Sequence, residues 1–143
     1  MDKLSIKVAE FHEKYGFSKN KPITAEESLL PIVNQLDEIA MEIIQNSDMS
    51  IRAHLIVEET AELVTALANG DKIALLDALA DLLYVTIGTA VTFGLPLTAA
   101  FNEVHKSNMT KSIQQDRPGH PGKGKDYIAP NLDQLLEKEL FNG

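Results

Sequence analysis

Residues 73–91 read IALLDALADLLYVTIGTAV, a stretch of helical length whose only charged residues are Asp77 and Asp81. Good helix formers dominate it, no proline interrupts it, and Asp71 stands ahead of it as an N-cap. A helix apolar on every side is expected to be central and buried. Asp77 and Asp81 are four apart and therefore lie one above the other on a single face. Leaving such a carboxylate ionised and unpaired costs several kcal/mol, so something must compensate it.

The compensation is sought one helix earlier, where residues 56–63 read IVEETAEL. Glu58, Glu59 and Glu62 crowd one side of a helix predicted over residues 50–68, ending at Asn69-Gly70. So short a connection makes the two helices antiparallel neighbours. Glu59 and Asp81 are equally distant from Gly70, and Glu62 and Asp77 nearly so, which puts both acidic groups at one height. No Lys or Arg lies between Arg52 and Lys72, or between Lys72 and Lys106. The cluster must hold protons or recruit a cation. Oxygen ligands without His or Cys favour Mg²⁺ or Mn²⁺, and two ions about 3.5–4 Å apart suit phosphoryl-type hydrolysis. Read singly, Glu58, or Glu59 with Glu62, is an ordinary solvated stripe; the aspartates, with no polar face of their own, make the pattern specific.

The rest of the chain also reads as helical, and the fold class is all-α. We expect a bundle of about five helices in a single domain over residues 1–143, with a helical core over 25–113, an irregular basic tail over 114–143, and self-association to complete the bundle. Leu4, Val8, Phe11 and Tyr15 mark a first helix ended near Gly16. A second runs from Ala25 or Pro31 to Gln45, and Ser47 or Asp48 caps the third. After Gly94 and Pro96 a fifth helix reaches Ile113, and a short last one covers residues 132–140. RPGHPGKGKDYIAPNL, residues 117–132, carries too much Gly and Pro for regular structure, and its GHPGKGK lacks the spacing of a phosphate-binding P-loop.

Composition removes other classes. The 143 residues contain no cysteine, which excludes disulfides, thiolate metal sites and a cysteine nucleophile. The net charge of −8 is the wrong sign for stable nucleic-acid binding. Residues 106–125 nonetheless hold five bases against one acid. The N-terminus has no signal-peptide pattern, and the longest uncharged stretch, residues 82–102, is broken by Gly94 and Pro96, so we expect a cytoplasmic protein without a membrane span. A di-iron bundle is disfavoured, because neither Glu58 nor Glu62 is followed three residues later by His.

VEETAEL followed by DALADLLYV resembles the all-alpha NTP pyrophosphohydrolase superfamily, the MazG-like proteins related to phosphoribosyl-ATP pyrophosphohydrolase. The shared pattern is E-E-x-x-E and then E-x-x-D. Glu58-Glu59-x-x-Glu62 matches the first part and Asp81 the last residue of the second, while the family's Glu falls on Ala78 and Asp77 stands one residue earlier. The resemblance implies Mg²⁺-dependent hydrolysis of a nucleoside triphosphate between its α- and β-phosphates. Glu59, Glu62, Asp77 and Asp81 would hold metal, and Glu58 or Glu59 would act as base. VHKSNMTK and GKGKDY resemble a phosphoribosyl-ATP pyrophosphohydrolase-related subgroup and imply nucleotide contacts from Lys106, Asn108 and Lys111, with Lys123, Lys125 and Tyr127 on a loop over polyphosphate. A homodimer or homotetramer is implied as well. The competing expectation is a non-catalytic helical interaction module, phage- or antitoxin-like, that keeps the acidic patch for structure alone.

Overall fold

The computed structural model of the chain describes residues 2–142, with side chains through residue 138. It contains helices α1 (Lys3–Tyr15), α2 (Leu30–Glu42), α3 (Asp48–Asn69), α4 (Lys72–Thr92), α5 (Leu97–Asn108) and α6 (Asp133–Asn142). The all-α expectation is borne out. Against it stands one small antiparallel hairpin, β1 (Gln115–Arg117) with β2 (His120–Pro121), in a segment expected to be irregular. Pro118 and Gly119, read above only as helix breakers, make its turn.

Chain contacts define two compact units, Pro22–Leu95 and Met1–Lys21 with Pro96–Gly143. In the first, α3 packs against both α2 and α4. Ser47 caps α3 in a reciprocal box with Ser50, and Asp71 caps α4 by accepting from the backbone of Ile73 and Ala74. Between the two helices Gly70 takes φ +64°, a left-handed turn. A Cβ there would lie 2.5 Å from the backbone nitrogen of Ala25. Only glycine lets the segment before α2 pass this closely, where Glu26 N donates to the Ala68 carbonyl at 3.0 Å.

The expectation of a buried fourth helix is corrected. Every fully enclosed residue of Pro22–Leu95 is an alanine: Ala40, Ala61, Ala66, Ala68, Ala78 and Ala90. The large apolar side chains of α4 stay open in a single chain, with Ile73 84%, Tyr84 80%, Val91 76% and Leu76 71% exposed. By length and composition α4 is the one helix among the described residues apolar enough to cross a membrane.

In the second unit α1 packs on α5. The fifth helix ends at Asn108, short of the expected Ile113, and the carbonyls at and just beyond its end find partners on α1. The buried Tyr15 hydroxyl lies 2.8 Å from the carbonyl oxygens of both Asn108 and Lys111, and Lys14 Nζ donates to that of Met109. Beyond the turn, Ser107 Oγ donates to the Ile128 carbonyl at 2.6 Å, and Ile128 N donates to Thr110 Oγ1 at 2.9 Å. These bonds tie the Gly-rich segment back to the end of α5.

Candidate active site

The two-turn coincidence read from the sequence is realised in the hairpin of α3 and α4. One carboxylate oxygen from each of Glu59, Glu62 and Asp81 lies within 4.8 Å of the others. Glu59 is half-buried, and its Oε2 is shielded from solvent without a hydrogen-bond partner. Its carboxyl is pushed above its ordinary value near 4.5, first by desolvation, then by the charges of Glu62, Asp81, Glu58 and Asp77. No Lys or Arg among the described residues comes within ion-pair distance of this cluster. Arg52 is held away from it: its Nη1 reaches Thr92 Oγ1 at 3.4 Å, and its guanidinium rests on Gly88, where a Cβ would meet it at 3.1 Å. Gly88 is two turns, about 10 Å, beyond Asp81. An orphaned, desolvated carboxylate oxygen beside two further carboxylates suits a hard divalent cation, so the residues present fit a metal.

Asp77 is not in this group of three. It is exposed, one turn from Asp81, and reaches the cluster only through its charge on Glu59. Ala78, at the position where the resemblance expects Glu, is 4% exposed.

Glu58 stands at the rim, exposed, with its Oε2 3.7 Å from His54 Nε2. His54 Nδ1 is 2.8 Å from the Ala40 carbonyl; a carbonyl only accepts, so this nitrogen carries the hydrogen. The imidazole is therefore anchored with Nε2 turned to Glu58. The sequence reading missed His54, although its spacing of four residues before Glu58 on one helix was a usable signal.

In the other unit, Lys111 lies in the turn beyond α5 and not on the helix face that its spacing from Asn108 predicts. Its amide still donates to the Asn108 carbonyl at 3.2 Å. Lys111 and Lys125 line one cavity of about 180 Å³ with Thr110, Ser112, Gly124 and Asp126. Lys123 is turned over the Tyr127 ring, 5.2 Å from its centroid. Lys106 is exposed on α5.

The family profile of phosphoribosyl-ATP pyrophosphohydrolase matches residues 33–108, more than half of the chain and all of the acidic hairpin. The chain belongs to the phosphoribosyl-ATP pyrophosphohydrolase family. That places it in the MazG-like all-alpha NTP pyrophosphohydrolase superfamily, as the resemblance implied. No individual curated protein matches it significantly. Membership in the phosphoribosyl-ATP pyrophosphohydrolase family supports a pyrophosphohydrolase-type function on nucleotides, and the family is typically dependent on a divalent metal. In this member of the phosphoribosyl-ATP pyrophosphohydrolase family three carboxylates that could hold a metal, those of Glu59, Glu62 and Asp81, are brought together, and Ala78 stands where the resemblance expects Glu.

Proposed function

We propose that this protein is a Mg²⁺-dependent nucleotide pyrophosphohydrolase that cleaves an NTP or dNTP between the α- and β-phosphates, giving a nucleoside monophosphate and pyrophosphate. The observation that carries the reading is the meeting of Glu59, Glu62 and Asp81 within 4.8 Å around an unpartnered Glu59 oxygen. When bound, Mg²⁺ or Mn²⁺ neutralises phosphate charge and makes a neighbouring water more acidic. Glu59, Glu62 and Asp81 hold the ion, and Asp77 assists from the adjacent turn. Glu58 takes the water's proton as general base, with Glu59 as the other candidate base. Asn108, Lys106 and Lys111 contact the nucleotide with Lys123, Lys125 and Tyr127; the cavity where Lys111 and Lys125 outnumber Asp126 supports a phosphate there.

The exposed apolar face of α4 supports a homodimer or homotetramer. Covering Ile73, Leu76, Tyr84 and Val91 contributes roughly 1.5–3 kcal/mol per side chain, and a second copy is the usual partner of such a face. A lipid environment fits it poorly, because Asp77 and Asp81 would enter the hydrocarbon with it. The cysteine-free composition and the family of soluble enzymes support a cytoplasmic location, and the net charge of −8 argues against stable nucleic-acid binding.

A panel of canonical and modified NTPs and dNTPs with Mg²⁺ or Mn²⁺, scored for pyrophosphate against orthophosphate, tests the reaction. Pyrophosphate release that disappears in folded Asp81→Asn is expected. Orthophosphate as the sole product refutes the bond assignment, and full activity in Asp81→Asn refutes the site. Inactivity on every nucleotide, with no metal-dependent stabilisation, favours the non-catalytic interaction module.

A further inference from the structure

Between α1 and α5 lies a cavity of about 250 Å³ that the metal chemistry does not use. At about 30 Å³ per liquid water it has room for roughly eight solvent molecules, the scale of one or two fused heteroaromatic rings. Aromatic groups from both helices line it: Phe11 and His12 from α1, Phe101 and His105 from α5. Phe11 is held by neighbouring rings, with centroid distances of 4.8 Å to Tyr15 and 5.6 Å to Phe17. A wall braced in this way offers a flat apolar surface at little ordering cost.

The polar groups on this cavity are few and defined. His12 Nδ1 is 3.2 Å from the Ser18 carbonyl, so that nitrogen bears the hydrogen and Nε2 remains as an acceptor. His105 is tethered through Nε2, 3.5 Å from Glu10 Oε2. Asn108 lines the cavity too, and its side-chain amide makes no hydrogen bond among the described residues, while its backbone carbonyl is fixed by Tyr15. An unused amide offers a donor and an acceptor in one plane. That is the complement of a nucleobase edge, which an Asn side chain can engage in bidentate fashion. Aromatic walls suit the two faces of the same ring.

We propose that this cavity is a nucleobase-binding site, with Phe11 and Phe101 lining the ring and Asn108 bonding its edge. The choice of a nucleobase over other flat heterocycles rests on the nucleotide reading above. Asn108 therefore serves the base rather than the phosphates, while Lys111 points to a separate cavity.

The test uses the full chain in EDTA, titrated with adenosine, guanosine, cytidine, uridine and thymidine, which carry a base but no phosphate. Binding is followed by calorimetry and by the NMR signals of the Asn108 side-chain amide and the His12 ring. At least one nucleoside should bind saturably and move both signals. Val104→Trp, which fills the cavity from its partly exposed rim, should weaken that binding tenfold or more, and Asn108→Ala should narrow the difference between bases. No saturable response to any nucleoside overturns the assignment, as does binding that survives Val104→Trp; if that variant does not fold, the wild-type Asn108 amide signal decides alone. Nucleoside binding retained in Glu62→Gln separates the two readings. Hydrolysis without nucleoside binding sinks the cavity assignment alone, and nucleoside binding without hydrolysis sinks the enzymatic reading alone.

Discussion

Replacing Glu59 by Gln should raise the stability of the metal-free protein and remove most of its response to Mg²⁺. The carboxylate oxygens of Glu59, Glu62 and Asp81 lie within 4.8 Å of one another. At that separation two unit charges repel by about 0.9 kcal/mol in a water-like medium and about 3.5 kcal/mol at an effective dielectric of 20. Glu62 is exposed, so the lower figure governs, and the two repulsions that Glu59 feels come to roughly 2 kcal/mol. The neutral amide removes them and can donate a hydrogen bond to a neighbouring carboxylate. For a chain of this size that is a gain of about 6 °C in Tm. Wild-type protein with Mg²⁺ at a hundred times its Kd should gain about 2.7 kcal/mol, or about 8 °C, and the variant at most about 1 °C. Scanning calorimetry of both proteins at matched concentration, in EDTA and in Mg²⁺, measures all four values. An unchanged or lowered metal-free Tm together with an intact Mg²⁺ increment would refute the reasoning.

The same carboxylate sets a pH dependence. Its folded value is raised, so between the ordinary value near 4.5 and the raised one the folded state binds more protons than the unfolded state. Stability from this group is present at low pH and lost as pH climbs through that window; metal-free Tm profiles should show an extra downward slope in wild type that Glu59→Gln lacks. Tyr15→Phe deprives the Asn108 and Lys111 carbonyls of their shared donor and should lower Tm by about 3–6 °C, from roughly 1–2 kcal/mol. It should also raise KM for nucleotide while leaving the Mg²⁺ increment alone, and an unchanged KM would remove Tyr15 from substrate positioning. Gly70→Ala meets the Ala25 backbone at 2.5 Å and should cost well over 3 kcal/mol by urea unfolding, whereas Gly16→Ala, equally left-handed but in open space, should cost about 1 kcal/mol. Equal costs would show that the close approach at Gly70 is not a constraint.

The hairpin was legible because three signals agreed: Gly70 as a stop, Asp71 as a start, and carboxylates at matched distances on either side. Each is a local rule of helix geometry, so their combination fixes which side chains meet. The hairpin of β1 and β2 was not legible, because two short strands closed by Pro118-Gly119 leave no alternating pattern to read. Lys111 was misplaced for a different reason. Nothing near it in sequence reveals that Tyr15, almost a hundred residues away, bonds the Asn108 and Lys111 carbonyls where α5 gives way to a turn. The apolar count of α4 was read correctly but its burial was not, since periodicity reports that a face needs covering and not what covers it. At Ala78 the sequence shows a departure from the family pattern, but its enclosure, and the place of Asp77 outside the trio, follow from how α3 and α4 pack and not from spacing.

Ala66 falls on the same helical face as Glu59 and Glu62, and Ala78 one turn from Asp81. Both are almost fully enclosed. Methyl groups have no torsional alternatives, so the packing at these two positions does not vary with rotamer exchange. One added branch, as in Ala66→Val, has no open volume to enter without shifting its neighbours. Substitutions that look innocuous by polarity are thus among those best suited to disturbing the two helices that carry the acids.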